Sequence, residues 1–259
     1  MKISALILTH NEEKMLKDCL KQLNFVDEII VLDQASTDQT VDIAKIYANK
    51  VVSASSEDFA KNRQLLAESA KGKWLLYIDA DERLNSDNVQ EIKKALKTKK
   101  YAAYFFARKN IILGKWLKHG GWWPDLAPRL FQKDKLLGWQ GSVHESPIVQ
   151  GEFGYFTAPI VHFTAQNISS MLAKTTKWAQ IEARLFYSGR KNPTINILRV
   201  AKSLVSEFTS RFFGKLGFLD GQIGLIESIY QALHRCIILV YLWELQNGSE
   251  KKSRQVKGK

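Results

Sequence analysis

Asp79-Ala80-Asp81-Glu82 is the stretch of this 259-residue chain whose residue types and spacing could do chemistry. It follows an apolar run, Trp74-Leu75-Leu76-Tyr77-Ile78, that reads as a buried strand. Side chains alternate along an extended chain, so Asp79 and Asp81 fall on one side. Carboxylates crowded at a strand end need positive charge among them. Two oxygens on one side suit a hard divalent cation that also holds phosphate oxygens. The plain alternative is a strand that runs out into a solvated acidic turn.

The elements around this motif alternate. Strands are expected at residues 3–8, 28–32, 50–53 and 74–78, with helices at 12–23, 40–48 and 59–70. Such alternation implies βαβ units and a mainly parallel, Rossmann-like sheet with flanking helices, an α/β fold. Ligands of such sheets bind beyond the carboxyl ends of the strands. Three polar clusters fall there: Thr9-His10-Asn11-Glu12, Asp33 to Asp38, and the acidic motif. A helix at 87–97 and an aromatic strand at 101–108 follow. Residues 110–147 are rich in Gly, Trp and Pro without a clean period, which reads as long functional loops. From residue 166 the pattern is helical, with two helices over 195–245 broken at Asp220-Gly221. The expected division is a catalytic domain over 1–165, an amphipathic helical extension over 166–246, and a basic flexible tail over 247–259.

The formal charge of +12 is uneven: from Ala165 onward there are 15 Lys/Arg against 6 Asp/Glu. Such a bias suits a polyanion, either anionic lipid or nucleic acid. No zinc-ligand spacing or RNA-binding motif is present, so nucleic acid is the weaker partner. Cys19 and Cys236 form no metal or disulfide framework, which fits a reducing, cytoplasmic setting. The N-terminus reads as a first strand, not a signal peptide. The longest late apolar run, residues 236–243, is too short to cross a bilayer, so peripheral attachment to the inner membrane face is expected.

Ile7-Leu8-Thr9-His10-Asn11-Glu12, Val31-Leu32-Asp33 with Ser36-Thr37-Asp38, Asn62-Arg63 and Ile78-Asp79-Ala80-Asp81-Glu82 together resemble the inverting family 2 glycosyltransferases of the GT-A fold. His119-Gly120-Gly121-Trp122-Trp123-Pro124-Asp125, Arg129-Leu130-Phe131 and Val143-His144-Glu145 resemble the bacterial branch with lipopolysaccharide core β-glucosyltransferases. Many members carry Asp-Asp-Gly-Ser after the second strand. This chain has Asp33-Gln34-Ala35-Ser36, so no role of the second Asp transfers to Gln34.

The resemblance implies a nucleotide-diphosphate sugar donor, with its base near Thr9, Asn11, Glu12 and Asp33. It implies donor contact by Arg63 and diphosphate contact by Arg129. Asp81 would bind a divalent cation, Mg2+ or Mn2+, and Asp79 would touch ribose or support the metal. Inversion by single displacement needs a base facing the acceptor hydroxyl. Glu145, in the family's His-Glu, is the first candidate and Asp125 the second. Trp122, Trp123 and Trp139 are candidates for stacking on sugars. The acceptor would be a lipid-linked glycan at an anionic membrane surface, with the C-terminal helices lying in that surface or pairing with a second copy in a homo-oligomer. The competing readings are a basic nucleic-acid-binding protein and a non-catalytic membrane-surface scaffold.

Overall fold

The computed structural model describes residues 2–54, 58–141, 145–189 and 194–257, the side chains of residues 177 and 249–257 excepted. The chain divides into two compact units: Met1–Lys109 with Pro124–Phe163, and Asn110–Trp123 with Thr164–Lys259. Residues 110–123, placed by the sequence with the catalytic domain, thus belong to the second unit.

The first unit opens with β1 (Ile3–Thr9), α1 (Glu13–Lys21), β2 (Glu28–Asp33), α2 (Thr40–Tyr47), β3 (Lys50–Ser53), α3 (Phe59–Ser69) and β4 (Trp74–Tyr77). It continues with β5 (Glu82–Arg83), α4 (Ser86–Thr98) and β6 (Ala103–Ile112). After β7 (Lys115–Trp116), in the second unit, come β8 (Leu126–Gln132), β9 (Leu136–Gln140), β10 (Ser146–Val149), β11 (Phe153–Tyr155) and β12 (Ile160–Ala165). The sheet runs β3-β2-β1-β4-β8-β6. Its first four strands are parallel, as the βαβ pattern requires. β8 is antiparallel to both of its neighbours, so the sheet is mixed beyond β4.

Near-continuous apolar strands mark a sheet covered on both faces. Alternate residues serve two cores. Ile3, Ala5, Ile7, Val31 and Leu76 pack on one side with Leu16, Cys19 and Leu20 of α1. Leu6, Ile30, Leu32, Leu75 and Tyr77 pack on the other with Leu66 of α3. Spacings of three and four residues give α1 its single buried stripe.

The stretch 110–147, expected to be irregular, contains β8 and the antiparallel β9–β10 hairpin. β8 was hidden by its sequence, Leu-Ala-Pro-Arg-Leu-Phe-Gln, in which Pro128 and Arg129 interrupt the apolar pattern. Its register against β6 pairs Leu130 with Tyr104 and Pro128 with Phe105, leaving Arg129 as the extra residue of a bulge. Bulges tolerate proline and re-aim side chains. Here the re-aimed side chain is Arg129, which reaches the acidic motif.

The second unit holds α5 (Ile168–Ser188), α6 (Ile197–Thr209), a π turn (Ser210–Gly214), a 3-10 turn (Gly217–Asp220) and α7 (Gly221–Lys257). The expected break at Asp220-Gly221 is present. α7 is continuous through the described part of the tail, where a flexible segment was expected; residues 258–259 lie outside the described residues. Residues Gly217–Gly248 are long and apolar enough, by length and composition, to cross a membrane. This corrects the expectation drawn from residues 236–243 alone, because polar residues of α7 interrupt the apolar run without ending the helix.

Candidate active site

The parallel strands deliver the predicted clusters to one edge of the sheet. Thr9 at the end of β1 pairs in register with Asp33 at the end of β2, and Leu6 with Tyr77 at the end of β4. Ile78 and Asp79 then leave the sheet.

The first two clusters stitch to each other. Asn11, in the left-handed region at φ 56°, accepts from the backbone N–H of Thr37 at 2.8 Å, and its own N–H donates to Ser36 Oγ at 2.9 Å. Asn is among the few residues that tolerate this conformation. Asp33 is buried and accepts from Ser36 N at 3.0 Å and Ser36 Oγ at 2.5 Å. Thr9 is also buried and donates to Leu32 O at 3.3 Å. Glu12 precedes α1, and its backbone N–H donates to Thr40 Oγ1 at 2.7 Å. These four residues therefore hold the two loops in shape, with Asp33 forming an Asx-type turn.

The acidic motif is built differently. Asp79 is engaged by two guanidinium groups: Arg129 Nη2 on Oδ2, and Arg63 Nη2 at 3.6 Å from Oδ1. Arg129 also donates to Glu82 Oε1 at 2.6 Å, and Glu82 accepts the backbone N–H of Asp79 at 3.1 Å. Burial alone would push the Asp79 carboxyl up, but Arg129 and Arg63 together hold it well below the usual carboxylate range. Full burial pushes the Glu82 carboxyl up; Arg129 pulls it back, and the Asp79 charge adds to the rise. Asp79 is thus an anchored charge, held between two arginines.

Asp81 faces another neighbour. Its Oδ2 lies 3.4 Å from Nε2 of His162 on β12. β12 pairs with β5 so that His162 stands opposite Glu82. Among the described residues, no group of three or more His, Cys, Asp or Glu side chains is arranged to hold a metal. A carboxylate oxygen and an imidazole nitrogen still fit a divalent cation that accepts mixed O and N donors, Mn2+ better than Mg2+, with its other positions open to diphosphate oxygens and water.

The two candidate bases differ in availability. Asp125 is gripped through both oxygens by Arg108, at 2.9 Å and 3.0 Å. Glu145 is held through Oε1 alone, by Arg63 Nε at 2.8 Å. Among the described residues its Oε2 has no hydrogen-bond partner. His144 and Val143, which complete the motif around it, lie outside the described residues. Arg63 is buried, with its guanidinium 5.1 Å from the Trp139 ring and 5.5 Å from that of Tyr77. Trp139, half-buried, packs edge-on against Tyr77 and Phe131 and braces Arg63. Trp122 packs against the Ile112, Leu117 and Met171 core of the second unit, and among the three tryptophans only Trp123 is exposed.

Residues 4–149 match the model of glycosyl transferase family 2, more than half of the chain. The chain belongs to this family. It is 26% identical over 264 residues to an uncharacterized glycosyltransferase of Rickettsia bellii (strain RML369-C), covering 94% of this chain and 87% of the relative. It is 31% identical over 150 residues to the SPbeta prophage-derived glycosyltransferase SunS of Bacillus subtilis (strain 168), covering 56% of this chain and 35% of SunS. Among solved structures it is similar to S. aureus TarS 1-349 in complex with UDP-GlcNAc, with 15% identity and a TM-score of 0.47 over 97% of this chain and 92% of that one. Particular likeness to lipopolysaccharide core enzymes is not shown by these comparisons.

Two site residues had no mark in the sequence. Arg108 lies in an aromatic strand, and His162 meets Glu82 of the acidic motif through a β5–β12 pairing separated by almost eighty residues. The need for positive charge near the acidic motif was the signal that could have pointed to Arg108.

Proposed function

We propose that this glycosyltransferase moves a hexose, with inversion, from a nucleotide-diphosphate sugar of the UDP class to a hydroxyl of a lipid-linked glycan in cell-surface glycan synthesis. The observation that carries the reading is Arg63, which bridges the candidate base Glu145 and the anchored Asp79. The acceptor oxygen forms its bond to the anomeric carbon as the bond to the diphosphate breaks, and the hydroxyl proton passes to Glu145 Oε2. Arg63, braced by Trp139 and Tyr77, holds Glu145 in one orientation. Asp125 is the weaker candidate because Arg108 occupies both its oxygens. Asp81 and His162 would hold a divalent cation, whose charge offsets that growing on the leaving diphosphate. Arg129, fixed by Asp79 and Glu82, adds positive charge beneath the same edge.

The test incubates the protein with a panel of UDP-sugars and Mn2+ and measures UDP release. Asp81→Asn should lose most of this release at limiting Mn2+ while keeping the wild-type melting temperature. Wild-type release by Asp81→Asn at limiting metal would remove Asp81 from the cation site. Absence of release from every sugar by the wild type, with no nucleotide binding, would overturn the donor assignment.

A further inference from the structure

α7 carries two opposed faces. Its inward face packs on α5: Tyr230 donates to Met171 O at 2.8 Å, Gln180 reaches Tyr241 Oη at 3.3 Å, and the Arg235 guanidinium lies 5.3 Å from the Phe186 ring. Of the polar residues of the helix, Glu227, Ser228, Gln231, His234 and Arg235 are buried or half-buried, while Gln222 and Glu244 are exposed at either end of the apolar stripe. The outward face shows Leu225, Ile226, Ile229, Leu233, Val240 and Trp243, each at least 39% exposed. No Asp, Glu, Lys or Arg is exposed between residues 221 and 243. At 1.5 Å per residue this apolar stripe is about 27 Å long. The turns before α7 extend it with Phe213, Leu216, Phe218 and Leu219, all exposed. Exposed lysines lie on the preceding elements of the same unit, Lys202 on α6 and Lys215 between the turns. A contiguous patch of this kind marks an interaction surface.

We infer that this face of the second unit lies flat in the interface of an anionic bilayer, with the α7 stripe and the turn preceding it buried among lipid tails. Charge complementarity selects this occupant. The part of the chain from Ala165 onward holds 15 Lys/Arg against 6 Asp/Glu, which an anionic surface attracts and a second copy of the same chain repels. The inward face selects the orientation. A spanning α7 would have to leave α5 and carry Glu227, His234 and Arg235 into hydrocarbon, where such groups are costly. Lying flat, the helix keeps its polar side on protein and gives its apolar side to lipid.

The experiment floats full-length protein with vesicles of phosphatidylcholine alone or mixed with phosphatidylglycerol, at low and high salt. Its readout does not depend on sugar transfer. Binding should require the anionic lipid and weaken with salt. Ile229→Glu and Leu233→Glu, at exposed positions, should each lower partitioning roughly tenfold or more. Lys215→Ala should lower it about fivefold. Brominated lipids should quench a tryptophan component that Trp243→Phe removes, a readout that requires no destabilising change. Indifference to both vesicle types, equal binding to neutral vesicles, or a dimer that Ile229→Glu splits would each overturn the inference. Protein that resists alkaline extraction from membranes would show a spanning helix and overturn the flat orientation.

Discussion

Asp79 in the first unit is a partly buried carboxylate and Glu227 in the second a buried one, and they end in opposite states. Asp79 meets Arg129 and Arg63, which hold it ionised far below the usual range. Among the described residues Glu227 accepts from the side-chain amide of Gln231 at 2.7 Å, its other oxygen has no hydrogen-bond partner, and the Arg211 charge offsets its burial only in part. Burial pushes its carboxyl up to about 7. Where charge is compensated, a fixed anion can be kept at a functional edge. Where it is not, the group is driven toward neutrality and serves packing.

Removing the compensation should break the first unit. Arg129→Met leaves Asp79 and Glu82 without their shared cation and should cost about 3–5 kcal/mol. Urea unfolding checks this; a change under about 1 kcal/mol would mean that the cluster is solvated and not buried.

The second unit should respond in the other direction. A carboxyl whose folded-state pKa is raised contributes stability at low pH that is lost as pH rises through the folded value. Between the ordinary 4.5 and about 7 this amounts to roughly 3–4 kcal/mol at most. Glu227→Gln should therefore stabilise the protein above pH 7 by up to about that amount and make little difference at pH 4. Melting curves across that range check the sign.

Asp79 and Glu82 sharpen the contrast within one cluster. The depressed Asp79 contributes stability at neutral pH that is lost as pH falls through its folded value. The raised Glu82 acts with the opposite sign. Asp79→Asn should flatten the acid limb of the stability profile, and Glu82→Gln should steepen it. The smallest effect belongs to the exposed stripe: Ile229→Glu should change stability in solution by no more than about 0.5 kcal/mol, since its side chain touches little protein.

The first four strands and their helices were legible because each segment carries its own period and its own turn. Asp33 and Asn11 were placed at the correct edge, but the hydrogen bonds that give them a structural task depend on Ser36 and Thr37 meeting them across two loops. β8 was not legible, since a proline and a buried arginine at a bulge erase alternation. Nor was the His162–Asp81 neighbourhood, which exists only once β12 pairs with β5. In α7 the two polar residues that bound the short apolar run part ways, Arg235 half-buried against Phe186 and Glu244 exposed, and only three-dimensional packing shows which side each occupies.

The central claim is that Glu145, held by Arg63 through one oxygen, takes the acceptor proton. Its most direct test compares Glu145→Gln with wild type in two measurements, single-turnover sugar transfer and calorimetric binding of UDP with Mn2+. The account predicts a rate lower by roughly two to four orders of magnitude with nucleotide affinity nearly unchanged. A fall in nucleotide affinity with the turnover of bound donor preserved would contradict it and assign the proton to another group.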